Sequence, residues 1–119
     1  MFNIQKFMRF DWNAFADGKE FTVKSCSEWK DYTTKQPLGT NVQVAITKDD
    51  TDYHQTGNNQ FTNLGETLTF KVNKKLNIAV NSVVLPVNPT VTAYGKDRNG
   101  NFSSFLNMLS VKCDDIKVL

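Results

Sequence analysis

Histidine occurs once in this chain of 119 residues, cysteine twice and proline three times. Each scarcity excludes something. With His54 as the only imidazole, a Ser-His-Asp arrangement has a single base to draw on, set in a polar stretch at 49–63. No GxxxxGK[ST] phosphate loop and no HExxH pair is present. Asp114 and Asp115 are adjacent, so in a strand their carboxylates point to opposite faces and cannot share a substrate. The chain reads as a non-enzyme that needs no cofactor.

Metal binding is poorly served too. Asp49, Asp50, Asp52 and His54 cluster, but a calcium loop needs further oxygen ligands, a glycine at its sharp turn and a downstream glutamate. Structural zinc sites use cysteines or several histidines. The expectation is no metal, and a solvated acidic loop that keeps a polyanion away. Cys26 and Cys113 lie far apart in no CxxC or Cys/His cluster, and read as reduced, small apolar residues.

No apolar run reaches the roughly 20 residues of a membrane helix. Lys6, Arg9 and Asp11 interrupt Met1 to Trp12, which therefore lacks the apolar core of a secretory signal. A cytoplasmic protein with no membrane partner is expected. The formal net charge of +2 is far from that of a strongly basic duplex binder. What matters is whether the fourteen basic residues gather on one face.

What the chain does contain is period-two alternation, the pattern of half-buried strands. Phe21 and Val23; Val42, Val44 and Ile46; Leu68, Phe70 and Val72; Val91 and Ala93; and Leu109, Val111 and Cys113 each alternate with more polar neighbours. Asp17-Gly18, Pro37-Leu38-Gly39, Gly57-Asn58-Asn59 and Asn99-Gly100 supply turn chemistry between or beside these runs. Pro86 and Pro89 bracket a connection unsuited to a central strand. Leu76, Val80 and Val83 suit a short helix over 74–84. Residues 3–15 fit both periods, and the Asp17-Gly18 turn favours a strand there. Phe7, Phe10, Phe21 and Phe70 read as core aromatics.

Five short strands leave two edges, which closure into a small barrel removes. The order of three strands, a connection with at most one short helix, then two strands is that of the OB-fold. The expectation is an all-β, five-stranded Greek-key OB-fold barrel with an extra N-terminal strand, a single domain over residues 1–119. A β-sandwich satisfies the same alternation, and with it comes the alternative of a structural or adhesion module of a phage virion that binds no nucleic acid.

The run FTVKSCSEWKDY from Phe21 to Tyr32, followed by Gly39 and VQVAI from Val42 to Ile46, resembles the opening hairpin of small phage-encoded single-stranded DNA-binding proteins. LSVKCDDIKVL, from Leu109 to Leu119, resembles their final strand. The likeness implies a protein of the host cytoplasm that coats and protects single-stranded DNA, without strong sequence preference, in phage replication or recombination. It implies replication or recombination proteins as further partners. Where cellular proteins of this functional class carry an acidic tail, Ile116, Val118 and Leu119 are apolar and suit self-association as a dimer or higher homo-oligomer.

Sequence-tolerant binding of a single strand needs aromatic faces for bases and cations for phosphates. Trp29, Tyr32 and Tyr94 are the candidate stacking residues; Lys24, Lys30, Lys71, Lys96 and Arg98 are the candidate phosphate contacts. Lys35, Lys48 and Phe102 lie close to them in sequence or pattern.

Overall fold

All five alternating runs fold as strands in the computed structural model, which describes residues 1–2, 4–53 and 62–119. His54 and Gly57-Asn58-Asn59 lie outside the described residues. In chain order there is a 3-10 turn (Ile4–Phe7), helix α1 (Trp12–Ala16), and strands β1 (Lys19–Lys30), β2 (Pro37–Asp49), β3 (Thr67–Val72), β4 (Val83–Val87), β5 (Thr90–Lys96), β6 (Phe102–Cys113) and β7 (Asp115–Val118). They form one sheet in the order β5-β6-β3-β2-β1-β4-β7. Every pairing is antiparallel except β3 with β6, which is parallel. Among the described residues the regular structure is all-β apart from α1 and the 3-10 turn.

The expected N-terminal strand is instead the turn and the helix. Asp11 decides it: its Oδ1 accepts the Ala14 N–H at 3.1 Å and caps the first turn of α1. Trp12, Phe15 and Ala16 then share the face that packs on the sheet. Trp12 stacks on Phe21 with centroids 5.3 Å apart and meets Phe70 edge-on at 5.9 Å. Phe10 packs edge-on against Phe15 at 5.3 Å. Phe7, read as core, precedes the cap and is 79% exposed.

Phe21, Val23, Val42, Val44, Ile46, Phe70, Val72, Val84 and Val111 are fully buried in one cluster. Each of these side chains contributes roughly 1.5–3 kcal/mol by leaving water. Cys113 is buried at the margin of this core, and Cys26 lies half-buried with its thiol 3.7 Å from the Ile78 carbonyl. Both cysteines are free. Burial first, and then the Asp114 carboxylate, push the Cys113 thiol up to about 11, which leaves it protonated and unreactive at neutral pH.

No helix forms over 74–84. Thr40, itself buried, donates its hydroxyl to the Lys74 carbonyl and accepts the Leu76 N–H, both at 2.9 Å, which pins this connection in an extended path. Asn81 takes a left-handed conformation at φ 74° and pairs its N–H with the Val23 carbonyl.

The sheet has seven strands rather than five, and its hydrogen-bond ladder does not close into a barrel; β5 and β7 are its edges. Between β4 and β5 the chain breaks at Asn88-Pro89, where Asn88 has φ 51° and Pro89 has no N–H to donate. Before the break β4 pairs with β1 and β7; after it β5 pairs with β6. Two residues thus join strands from opposite parts of the ladder. Pro86 is tolerated inside β4 because Val83 and Val87 direct their carbonyls to the β7 side. By alternation, Pro86 turns its missing donor toward β1, whose pairing with β4 stops at Phe21 and Val84.

Asp49 is not a solvated loop residue. Its carboxylate lies 3.4 Å from the Lys19 ammonium, and both side chains are shut off from solvent. The ammonium also donates to the Phe15 carbonyl and the Thr51 hydroxyl, each at 2.7 Å. Asp49 accepts the Asn63 N–H at 2.8 Å, the Thr51 N–H at 3.2 Å and the Tyr53 hydroxyl at 2.9 Å. Burial pushes its acidity down, but these hydrogen bonds outweigh it and hold the carboxyl well below its ordinary range. The cluster ties α1, the base of the β1–β2 hairpin, Thr51, Tyr53 and Asn63 together. Asp50 pairs with Lys48 at 3.5 Å instead.

Asp49→Asn leaves a buried, unpaired ammonium, and urea unfolding at neutral pH should show a loss of about 3–5 kcal/mol. A carboxylate with a depressed folded pKa stabilises fully above its unfolded value, near pH 4, and that contribution fades as pH falls toward the folded value. Stability of the native protein should therefore drop on the acid side of about pH 4, with a shallower slope in Asp49→Asn.

Candidate nucleic-acid interface

Residues paired across a ladder point to the same face, so the register names the outward surface of the sheet. Ser25, Gln43 and Thr69 form one row; Ser27, Asn41, Lys71, Lys112 and Thr90 form the next. Trp29 lies opposite Gly39 at one end, and Tyr94 opposite Met108 at the other, with Lys96 opposite Phe102 beyond it.

Trp29 reaches this face because β1 carries a bulge. Val23 pairs with Val44 and Ser25 with Gln43, so Lys24 is an extra residue that shifts the alternation by one. Without that shift, counting in twos from Phe21 and Val23 would carry Trp29 into the core. Lys71 places its ammonium 5.6 Å from the Trp29 ring. Gly39 allows β2 and β3 to approach closely there, since a Cβ would stand 1.8 Å from the Val72 carbonyl oxygen.

Across β2, β3, β6 and β5, from Asn41 to Tyr94, runs a groove of about 440 Å³. Lys71, Tyr94 and Met108 stand along it, while Asn41, Gln43, Thr69 and Ser110 contribute its polar lining. Tyr94 is half-buried, with Phe102 edge-on at 6.4 Å and the Lys96 ammonium 5.9 Å from its ring. Gly95 lets β6 fold over β5: a Cβ would lie 2.1 Å from the Phe105 carbonyl oxygen. Residues 104–107 bulge out of register there and leave Phe105 75% exposed.

The turn between β1 and β2 holds Tyr32 out into solvent at 92% exposure. Asp31 builds that turn by accepting the Thr34 and Thr33 N–H groups at 2.8 and 2.9 Å, and these bonds lower its pKa. The Lys35 ammonium lies 5.3 Å from the Tyr32 ring. Lys30 is exposed and meets Glu28 at 3.8 Å, a surface pair of little energetic consequence. Arg98 is exposed on the 97–101 turn, which Asp97 orders by accepting the Asn99 and Asn101 N–H groups.

Of the residues expected from sequence, Trp29, Lys71, Tyr94 and Lys96 thus share one face. Lys30, Tyr32 and Arg98 flank it on the adjoining strand end and turns, and Lys24 is exposed at the bulge, outside the lining of the groove. Asp49 lies six residues along β2 from Gln43, roughly 20 Å at the rise of a strand, so the acidic residues beside it stand well away from the groove.

No protein-family model matches the chain, and neither a curated protein nor a solved structure matches it significantly. The reading of this face rests on its own chemistry.

Sequence reasoning passed over Lys112 and undervalued Phe102. Lys112 alternates with buried Val111 and Cys113 and so had to face outward, a signal present in the pattern. Phe102, 83% exposed, stands on the same face as Tyr94. A larger hollow of about 710 Å³ lies between the turn end of the β1–β2 hairpin and residues 73–77. It has no aromatic lining, and Lys74 there is engaged by Asp115 at 3.0 Å. Among the described residues no group of three or more His, Cys, Asp or Glu is arranged to hold a metal, and no helix is long and apolar enough to cross a membrane.

The two indoles differ in access: Trp12 is 9% exposed, and Trp29 lies partly open on the outward face. Iodide should quench native fluorescence in part, and Trp29→Phe should leave a blue-shifted emission that iodide barely quenches.

Proposed function

We propose that this protein binds single-stranded DNA, coating and protecting it without strong sequence preference during phage replication or recombination. The observation that carries the reading is the single outward face on which Trp29, Tyr94 and Phe102 alternate with Lys71, Lys96 and Lys112. Aromatic rings spaced across one face offer stacking to bases, and ammonium groups beside them meet the phosphates. Three of the cations, Lys71, Lys96 and Lys112, stand on that face, where a phosphate backbone lying along it would meet them.

The connectivity supports an OB-type fold for this scaffold. β1, β2 and β3 form a meander, β3 lies parallel to β6, and β4 with β5 act as one interrupted strand between β1 and β6. In such folds the face of the second and third strands and the loops flanking it take oligonucleotides. Here those loops are the ones carrying Tyr32 and Arg98. Self-association fits the exposed apolar side chains Phe105, Leu106, Val118 and Leu119, and multivalency strengthens the coating of a long strand.

Titration against a fluorescent thymidine oligonucleotide, the matching duplex and the matching RNA tests the reading. The single strand should bind much more tightly than the duplex, and added salt should weaken that binding as counterions cease to be released. Trp29→Ala should lose about 1–3 kcal/mol of binding, with folding intact by circular dichroism. Absence of binding even at low salt overturns the reading in favour of a structural assembly module.

A further inference from the structure

β6 leaves its ladder in a bulge over residues 104–107, and side chains hold it there. Asn107 takes both polar groups of the Lys96 backbone, accepting its N–H at 2.9 Å and donating to its carbonyl at 3.0 Å. Ser103 Oγ accepts the Phe105 N–H at 3.1 Å. Phe105 and Leu106 are thereby presented to solvent next to each other. The hairpin around them is cationic. Of the four charged residues from Thr90 to Lys112, only Asp97 is negative, and it is engaged by the turn that it orders.

The hollow at the other end of the sheet is lined by the apolar side chains of Pro37, Leu38 and Leu76. Its charges offset one another: Glu28 stands with Lys75, and Asp115 engages Lys74 at 3.0 Å. Two bulges set against each other would crowd like charges, whereas a bulge set in this near-neutral hollow would not. The hollow follows β3, whose Val72 pairs with Cys113. Phe105 lies eight residues before Cys113 on β6, roughly 20 Å away at the rise of a strand. The bulge of one copy therefore cannot reach its own hollow.

On the self-association read above, we propose that Phe105 and Leu106 of one copy dock in the hollow of the next. The two surfaces differ and lie at opposite ends, so the contact is head-to-tail and repeats from copy to copy. Cys26 meets the hollow from the core side of β1 while Trp29 points outward, which leaves the nucleic-acid face free. Neighbours on one strand then hold each other in place, and coating becomes cooperative.

Asn77 lines the hollow and Ser104 lies in the bulge, both exposed. In a Cys26→Ser background, the chain carrying both Asn77→Cys and Ser104→Cys is treated with a short bismaleimide at high protein concentration. It should give a ladder of multimers, and Ser104→Cys alone should stay monomeric. Dimers from Ser104→Cys alone, or no ladder from the pair, overturn the assignment. The native protein should bind long polythymidine about a hundredfold more tightly per copy than an oligonucleotide that holds one copy. Phe105→Ala with Leu106→Ala should remove that gain and leave the short-strand affinity unchanged, and Leu38→Asn should do the same from the hollow. Equal affinity of the native protein for long and short strands overturns the contact while the single-strand reading stands. If no strand binds and the ladder still forms, the contact stands and the single-strand reading alone fails.

Discussion

The packing of Phe21 against Phe70 beneath Trp12 determines where most other side chains of the sheet point. The Phe21 and Phe70 rings sit 5.8 Å apart with no exposure, and Trp12 closes over both. Because side chains alternate strictly along a strand, committing Phe21 and Val23 of β1, Val42 and Val44 of β2 and Phe70 and Val72 of β3 to the core sends Gln43, Asn41, Thr69 and Lys71 outward. A slip of one residue in any of these pairings would exchange the two sets, at the cost of exposing the core. The outward face inherits its order from the buried one.

Two local departures from regularity turn that ordered face into a groove. The bulge at Lys24 reverses the alternation of β1, so that Cys26 turns inward and Trp29 outward beside Lys71. The break at Asn88-Pro89 lets one length of chain pair first with β1 and then with β6, which brings the β5–β6 hairpin and Tyr94 to the far side of the same surface. Neither feature adds a charged or aromatic residue. Both change where existing residues stand.

The buried Lys19–Asp49 pair works at the opposite end of β1 and β2. Removing two charges from water is expensive, and here the expense is met by hydrogen bonds from Thr51, Tyr53 and Asn63 and by the Phe15 carbonyl. The result anchors α1, Thr51, Tyr53 and Asn63 away from the groove. Part of the negative charge that looked like a solvated patch is thereby neutralised within the fold, while Lys71, Lys96 and Lys112 remain on the outward face.

The sequence by itself determined the five strands, since alternation of Val, Ile and Phe with polar residues is a local signal that burial of one face enforces. It also determined that Tyr94 and Lys71 face outward, because each stands one residue from a core position. It was silent or misleading where two local preferences competed. Residues 3–15 fit both periods until the Asp11 cap and the seat for Trp12 on Phe21 and Phe70 favoured a helix. Pro86 argued against a strand, because only the tertiary arrangement shows that its missing donor lies beyond the pairing of β4 with β1. The orientation of Trp29 turned on a bulge without a sequence signature, and the burial of Asp49 turned on Lys19, thirty residues away in the chain. These depend on contacts between distant segments, and only folding brings such segments together.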